Sequence, residues 1–244
     1  MKTFKAVNEN MIILEEYEKV LGDDYWAVCE ANDYRQERGS LIDHDKVIEI
    51  SERLELPEKA KVQEIATMLE YGADLGIEGE GRWPSQGPNN ESVYDYGSRV
   101  ADPLQTAVRD GIMYGPLWRE EMPWEVFKCS PMAVRLKQNG RARIIMDLSY
   151  PHGETLGTGM VCSPNVGMSN CDKFEPVKMA GDVQWRQCMY TAGRPAEMIK
   201  ADWDMAYKHV SVRWEDHKLQ VVEFCGRFFI EKCHTFGGGN SPTI

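Results

Sequence analysis

Two tight turns between β-rich runs constrain the fold of this 244-residue chain more than any other feature. The first turn contains Asn139-Gly140 and the second is Cys225-Gly226. An Asn-Gly pair between two such runs is a strong hairpin signal, because both residues adopt positive φ angles easily. The predicted strands are residues 126–136 and 142–148 around the first turn, and 219–224 and 227–232 around the second. We therefore expect two β-hairpins in the second half of the chain.

The first half of the chain has the spacing of amphipathic helices. Apolar residues recur at three- and four-residue intervals over residues 11–21, and we predict a helix there. A second helix is predicted over residues 45–56. A third helix is expected to start at Pro57, because proline is well tolerated in the first helical turn. Its apolar face consists of Val62, Ile65, Ala66 and Leu69.

The segment between the two halves is rich in loop-forming residues. Residues 76–97 contain many Gly, Pro, Asn and Ser residues and are predicted to form a loop. Asp102-Pro103 has the pattern of an N-cap followed by a proline at the first helical position, so a short helix is expected there. Further along, residues 150–182 read as irregular and residues 196–202 as a strand.

Charge is distributed unevenly along the chain. The whole sequence has 28 Lys and Arg residues against 39 Asp and Glu residues, a net charge of −11. Residues 1–110 contain 12 basic and 24 acidic residues, whereas residues 111–244 contain 16 and 15. The second half can therefore face a polyanion without strong repulsion, and the first half should not contact one. The alternative is that the acidic half is simply a solvated surface.

The cysteines and the apolar runs bear on location. The seven cysteines include no CxxC spacing, so neither a zinc site nor a disulfide framework is predicted. No apolar run approaches the roughly 20 residues that a membrane span needs. The N-terminus has no apolar block of signal-peptide length. A cytoplasmic or nuclear location is expected, with no membrane partner.

Three segments carry the motifs that point to a function. In order, they are SPMAVRLKQNGRARIIMDLSYPHG (130–153), MIKADWDMAYKHVSV (198–212) and FFIEKCHTFGGGNSP (228–242). Their sequence and order resemble the fingers and early palm of a reverse transcriptase. Upstream, GADLGIEGEG and GIMYGPLWREEMPW resemble the lead-in of tyrosine-recombinase (DIRS-like) retrotransposons. The resemblance covers roughly residues 70–244.

The resemblance implies a metal-dependent site around Asp202. At that position the family has its first catalytic, metal-binding aspartate, and hard cations such as Mg²⁺ prefer carboxylate oxygens. Asp204 lies outside the ligand position of the family and is expected to be a surface or turn acid. Tyr207 occupies the place of an aromatic ring that lies beneath the incoming sugar and excludes a 2′-hydroxyl. The alternative for Tyr207 is an ordinary half-buried tyrosine.

The resemblance also implies a nucleotide-binding role for the first hairpin. Arg143, four residues before Asp147, matches the fingers arginine that reaches the triphosphate, a task that suits a bidentate guanidinium. Lys137 is a looser match to the fingers lysine, and Arg141 competes with both. Taken alone, a basic hairpin is usually a solvated turn. Phe236-Gly237 matches the position that packs against the nascent base pair.

These implications give a predicted architecture. The fold class is α/β (α+β), a right-hand polymerase fingers region and partial palm, preceded by a helical acidic N-terminal extension. The predicted regions are 1–110 for the extension and lead-in loop, 111–195 for the fingers-like part and 196–244 for the partial palm. The implied activity is RNA-directed DNA polymerisation, in which a primer 3′-hydroxyl attacks the α-phosphate of a deoxynucleoside triphosphate on an RNA or DNA template-primer.

The same resemblance raises an alternative. The family needs a later Tyr-x-Asp-Asp hairpin for its other metal-binding carboxylates, and the 244 residues contain none. One aspartate does not hold two catalytic Mg²⁺ ions, because Mg²⁺ gives up its hydration reluctantly. The chain as written is therefore expected not to polymerise. It is either part of a longer enzyme or a domesticated, non-catalytic relic. Such a relic would be a nucleic-acid- or protein-binding subunit of a larger complex, with a protein partner covering the unfinished palm.

Overall fold

The computed structural model describes residues 42–77, 87–152, 163–169 and 206–235, together with residues 187, 190 and 191. The described part mixes helices and strands, as predicted. The helices are α1 (His44–Arg53), α2 (Lys59–Tyr71), α3 (Glu91–Asp95), α4 (Gly97–Arg109), α5 (Pro164–Ser169) and α6 (Trp214–His217). The strands are β1 (Met113–Leu117), β2 (Met132–Leu136), β3 (Ala142–Met146), β4 (Val221–Phe224) and β5 (Arg227–Glu231).

Helices α1 and α2 confirm two of the predicted helices. Asp43 caps α1, since its side chain accepts a hydrogen bond from the backbone N–H of Lys46. α1 has no buried residue, and α2 buries only Ala66 and Leu69 of its four predicted apolar positions. Ile65 is exposed. The helix predicted over residues 11–21 lies outside the described residues.

Helices α3 and α4 correct the prediction for the lead-in segment. α3 lies inside the predicted loop, and α4 starts five residues before Asp102, so that Pro103 is in its interior. The N-cap of this region is Asn90, whose side chain accepts from the backbone N–H of Ser92. Val100 is fully buried upstream of the proline. Burial of this upstream face offsets the one helical hydrogen bond that Pro103 cannot donate.

Strands β2 and β3 form the first predicted hairpin. They pair antiparallel with Leu136 opposite Ala142, and the backbone N–H of Lys137 donates to the carbonyl of Arg141 at 2.8 Å. The first strand is shorter than predicted, because residues 126–131 run outside the hairpin. Cys129 makes only an isolated bridge to Val221 of the other sheet.

The second predicted hairpin, β4 and β5, belongs to a three-stranded antiparallel sheet in the order β1-β5-β4. Cys225 and Gly226 both have positive φ (54° and 78°), as a two-residue hairpin turn requires. Strand β1 was not predicted, because Gly115 and Pro116 interrupt its β-pattern. A Cβ atom on Gly115 would lie 2.7 Å from the carbonyl oxygen of Phe228 on β5, so glycine allows this close approach.

The main apolar core lies among α4, the β2–β3 hairpin and the three-stranded sheet. Its fully buried members include Val100, Leu104, Met132 and Val222. β1 belongs to the region predicted as fingers-like and β5 to the region predicted as palm, and the two strands pair in one sheet. The boundaries of these regions stay predictions. Among the described residues, no helix is long and apolar enough to cross a membrane.

Candidate functional site

The outward face of the β2–β3 hairpin carries a cluster of cations. Side chains alternate between the two faces of a strand, so Arg135 and Arg143 share one face while Val134 is buried on the other. Lys137 and Arg141 follow at the turn, and all four basic side chains are exposed. Residues 132–146 contain no acidic residue. We call Arg135, Lys137, Arg141 and Arg143 the basic hairpin face.

The register of the hairpin places two like charges directly opposite each other. Arg135 pairs with Arg143 across the antiparallel ladder. Like charges in directly opposed positions destabilise a sheet by a few tenths of a kcal/mol or more, unless an anion lies between them. Such a pair is well arranged for phosphate, which accepts hydrogen bonds from guanidinium groups in bidentate geometry. Sequence reasoning identified Lys137, Arg141 and Arg143 but missed Arg135, although period-two alternation puts it on the same face.

Asp147 ends the hairpin with local hydrogen bonds. Its Oδ1 accepts from the backbone N–H of Ser149 at 3.0 Å, and its Oδ2 lies 2.9 Å from Nε2 of His152. The backbone N–H of Asp147 donates to the carbonyl of Pro131 at 2.8 Å. Asp147 therefore fixes the turn that follows β3.

Tyr207 lies in a short 3-10 helix, Ala206–His209, and is half-buried. The predicted metal ligand Asp202 and the predicted base-pair contacts Phe236 and Gly237 lie outside the described residues. Of the predicted site residues, the structure thus describes Lys137 and Arg143 on one hairpin and Tyr207 on a separate turn.

A buried ion pair links the Tyr207 turn to the three-stranded sheet. Nζ of Lys208 lies 2.5 Å from Oε2 of Glu231, whose side chain is only 3% exposed. The other carboxylate oxygen of Glu231 accepts from the backbone N–H of Cys233 at 3.3 Å. Burial raises the pKa of the Glu231 carboxyl, while the ammonium of Lys208 opposes this shift. Sequence reasoning missed this pair, since its partners are 23 positions apart.

Backbone hydrogen bonds hold the chain just after the turn. The N–H of Val212 donates to the carbonyl of Lys232 at 2.7 Å, and the N–H of His234 donates to the carbonyl of Val210 at 3.1 Å. On the other side, the N–H of Ala73 donates to the carbonyl of Ser211 at 2.7 Å. The segment from Val210 to Val212 therefore lies between two other parts of the chain.

Two buried histidines lie close to this segment. Nε2 of His217 lies 2.8 Å from the carbonyl oxygen of Val212. Nε2 of His234 has no hydrogen-bond partner among the residues that the structure describes. Burial lowers the pKa of both histidines to about 4. Both are therefore neutral at pH 7.

The described residues contain no group of three or more His, Cys, Asp or Glu side chains that could hold a metal ion. The predicted Mg²⁺ ligand Asp202 lies outside this part, so the metal site stays a prediction. Cys129, Cys225 and Cys233 are free thiols, and burial raises the pKa of Cys129 and Cys225 to about 12.

No protein-family model matches this sequence, and no curated protein matches it. Among solved structures, the chain is similar to the protease-reverse transcriptase of prototype foamy virus. The identity is 14% and the TM-score 0.43, over 85% of this chain and 26% of that one. A foamy viral protease-reverse transcriptase in complex with dsDNA shows 10% identity and a TM-score of 0.38, over 86% of this chain and 41% of that one.

The chain spans about a quarter of the length of the first of these proteins. Both TM-scores are below 0.5.

Proposed function

We propose that this chain is a reverse-transcriptase-like region of retrotransposon origin, from the DIRS-like group, that binds a nucleoside triphosphate and a template-primer. The order of the three sequence motifs supports the family. The main support for binding of these polyanions is the basic hairpin face, where Arg135 lies opposite Arg143. Four exposed cations on one hairpin form a surface suited to phosphate.

The remaining site residues keep their proposed roles. Arg143 and Lys137 bind the triphosphate, Tyr207 lies beneath the sugar, and Phe236 with Gly237 packs against the nascent base pair. Asp202 is the proposed catalytic residue and binds Mg²⁺, since its carboxylate offers the hard oxygen ligands that this ion takes. When bound, Mg²⁺ neutralises phosphate charge. Because the sequence contains no Tyr-x-Asp-Asp, binding is a more direct test than polymerisation.

The alternative proposal is a non-catalytic binder of nucleic acid or of a protein partner. The charge distribution favours this alternative over an active polymerase, since residues 111–244 are close to neutral whereas the nucleic-acid channels of active enzymes are usually more basic. This alternative retains the basic hairpin face as a polyanion-binding surface and dispenses with the triphosphate site.

The first experiment measures binding of a fluorescein-labelled DNA primer annealed to an RNA template, by fluorescence anisotropy at several salt concentrations. Arg135→Ala/Arg143→Ala is expected to weaken binding about tenfold or more at low salt. It should also reduce the slope of log K against log salt by roughly 1.5–2, because two phosphate contacts are lost. The matched control is Lys59→Ala/Lys61→Ala, which removes the same charge from exposed positions on α2 and should change the affinity less than about twofold.

A second measurement separates the two proposals. A fluorescent deoxynucleoside triphosphate should bind in the presence of Mg²⁺, and Asp202→Ala should abolish that binding. Template-primer binding without triphosphate binding would establish the non-catalytic alternative. Absence of both, or equal effects of the arginine and lysine double variants, would refute the proposed function.

A further inference from the structure

The Lys208–Glu231 ion pair is placed to control the turn that carries Tyr207. Lys208 directly follows Tyr207 in a 3-10 helix of four residues, so the position of the Lys208 side chain constrains the backbone on which Tyr207 stands. The side chain of Lys208 is 16% exposed and ends on the carboxylate of Glu231. If this contact is kept, the Lys208 side chain limits how far the backbone at Tyr207 can move.

Glu231 is itself held in a fixed position. It is the last residue of β5, its backbone pairs with Met113 of β1, and its N–H donates to the carbonyl of Gln220 at 2.8 Å. Its carboxylate accepts from Lys208 on one oxygen and from the N–H of Cys233 on the other. A carboxylate fixed by the sheet in this way provides a rigid reference point for the turn.

Stability alone does not account for a pair of this kind. Burying two charges costs desolvation energy, and well-packed apolar residues of similar volume often stabilise a fold at least as well. The backbone bonds from Val210 and Val212 already attach the following segment to residues 232–234. The ion pair adds a fixed point two residues before Val210, at Lys208, beside Tyr207.

We propose that Lys208 is a positioning residue, which through Glu231 sets the orientation of Tyr207 and thereby the discrimination between deoxyribose and ribose. The part of this inference that concerns the sugar rests on the proposed function. The part that concerns the orientation of Tyr207 does not. Lys208 touches no substrate in this scheme and acts only through the turn.

The test uses the full chain labelled with 3-fluorotyrosine, with the ¹⁹F resonance of Tyr207 assigned from Tyr207→Phe. Lys208→Met and the double variant Lys208→Met/Glu231→Met should shift or broaden this resonance, whereas Lys208→Arg should retain it. The double variant removes both charges of the pair together, so it keeps the test valid if the single variant does not fold. The control Asp74→Asn removes a partly exposed ion pair with Arg213 in the same region and should leave the resonance unchanged.

The second readout is the ratio of affinities for dATP and ATP in the presence of Mg²⁺. The double variant should lower this ratio at least fivefold, and Lys208→Arg should keep it within twofold. An unchanged Tyr207 resonance in a folded double variant would overturn the positioning role. A shifted resonance with an unchanged ratio would overturn its link to sugar discrimination. If the wild-type chain binds neither nucleotide, the proposed function fails, while the ¹⁹F experiment still decides the positioning role.

Discussion

Replacing Lys208 alone should be among the most destabilising changes in the described part of the chain. Lys208→Met leaves the carboxylate of Glu231 without its counter-charge in a site that is 3% exposed. Removing one partner of a buried pair costs about 3–5 kcal/mol of unfolding free energy. The double variant Lys208→Met/Glu231→Met removes both charges, and its stability should lie within about 1 kcal/mol of wild type or above it. The resulting coupling energy between the two positions is about 3 kcal/mol or more.

The stability that Lys208→Met loses relative to wild type should depend on pH. Without Lys208, burial raises the pKa of Glu231 still further above its ordinary value of 4.5. The folded state then binds a proton more tightly than the unfolded state, so unfolding free energy falls as pH rises from 4.5 through the folded-state pKa. The deficit of Lys208→Met relative to wild type should therefore be smaller at pH 4.5 than at pH 7.

Urea unfolding followed by tryptophan fluorescence and by circular dichroism, at pH 4.5 and pH 7, measures these quantities. Lys208→Arg is the matched control, since it keeps the charge and most of the length of the side chain. Equal losses of stability in the single and double variants would refute the reasoning, because they would mean that the two charges are not coupled. A deficit of Lys208→Met that does not change with pH would refute the assignment of the cost to ionised Glu231.

Further predictions concern two buried histidines and two glycines. The pKa values of His217 and His234 are lowered to about 4 in the folded state. Below pH 6.5 the unfolded state therefore binds more protons than the folded state. The free energy of unfolding should fall by roughly 2 kcal/mol per histidine between pH 7 and pH 5. Urea midpoints of His234→Asn should show about half of that pH-dependent loss. Gly72→Ala should lower unfolding free energy by about 3 kcal/mol or more, because its φ is +89° and a Cβ would lie 2.6 Å from the backbone nitrogen of Arg213. Gly140→Ala, with φ +76° and open space around it, should cost only about 1 kcal/mol in thermal unfolding; equal costs at the two glycines would contradict this account.

Local signals explain which parts of the fold could be predicted from the sequence. Both hairpins follow from their turn residues, because Asn139-Gly140 and Cys225-Gly226 specify the pairing of strands on either side. The start of α4 was predicted wrongly, because Pro103 has the local pattern of a first helical turn. Only the burial of the apolar face upstream of the proline, a tertiary effect, extends the helix back to Gly97.

In the candidate site too, local patterns identify some residues, whereas others depend on tertiary packing. Arg135 could have been found, because alternation along a strand is a local property. The contact between Lys208 and Glu231 depends on how the turn packs on β5, which no local pattern encodes. The same holds for β1, whose Gly115 is explained by close approach of the Phe228 backbone rather than by any β-propensity.

The position of β5 between β1 and β4 has a consequence for synthesis on the ribosome. β4 and β5 are neighbours in sequence, but Leu117 of β1 pairs with Phe228, 111 residues later. At about 5–20 residues per second, β1 is synthesised roughly 6–20 s before its partner strand. Closing so long a loop also slows pairing once both strands are present. Met113 and Tyr114, which are buried in the finished sheet, are therefore exposed to water and to other nascent chains during that interval.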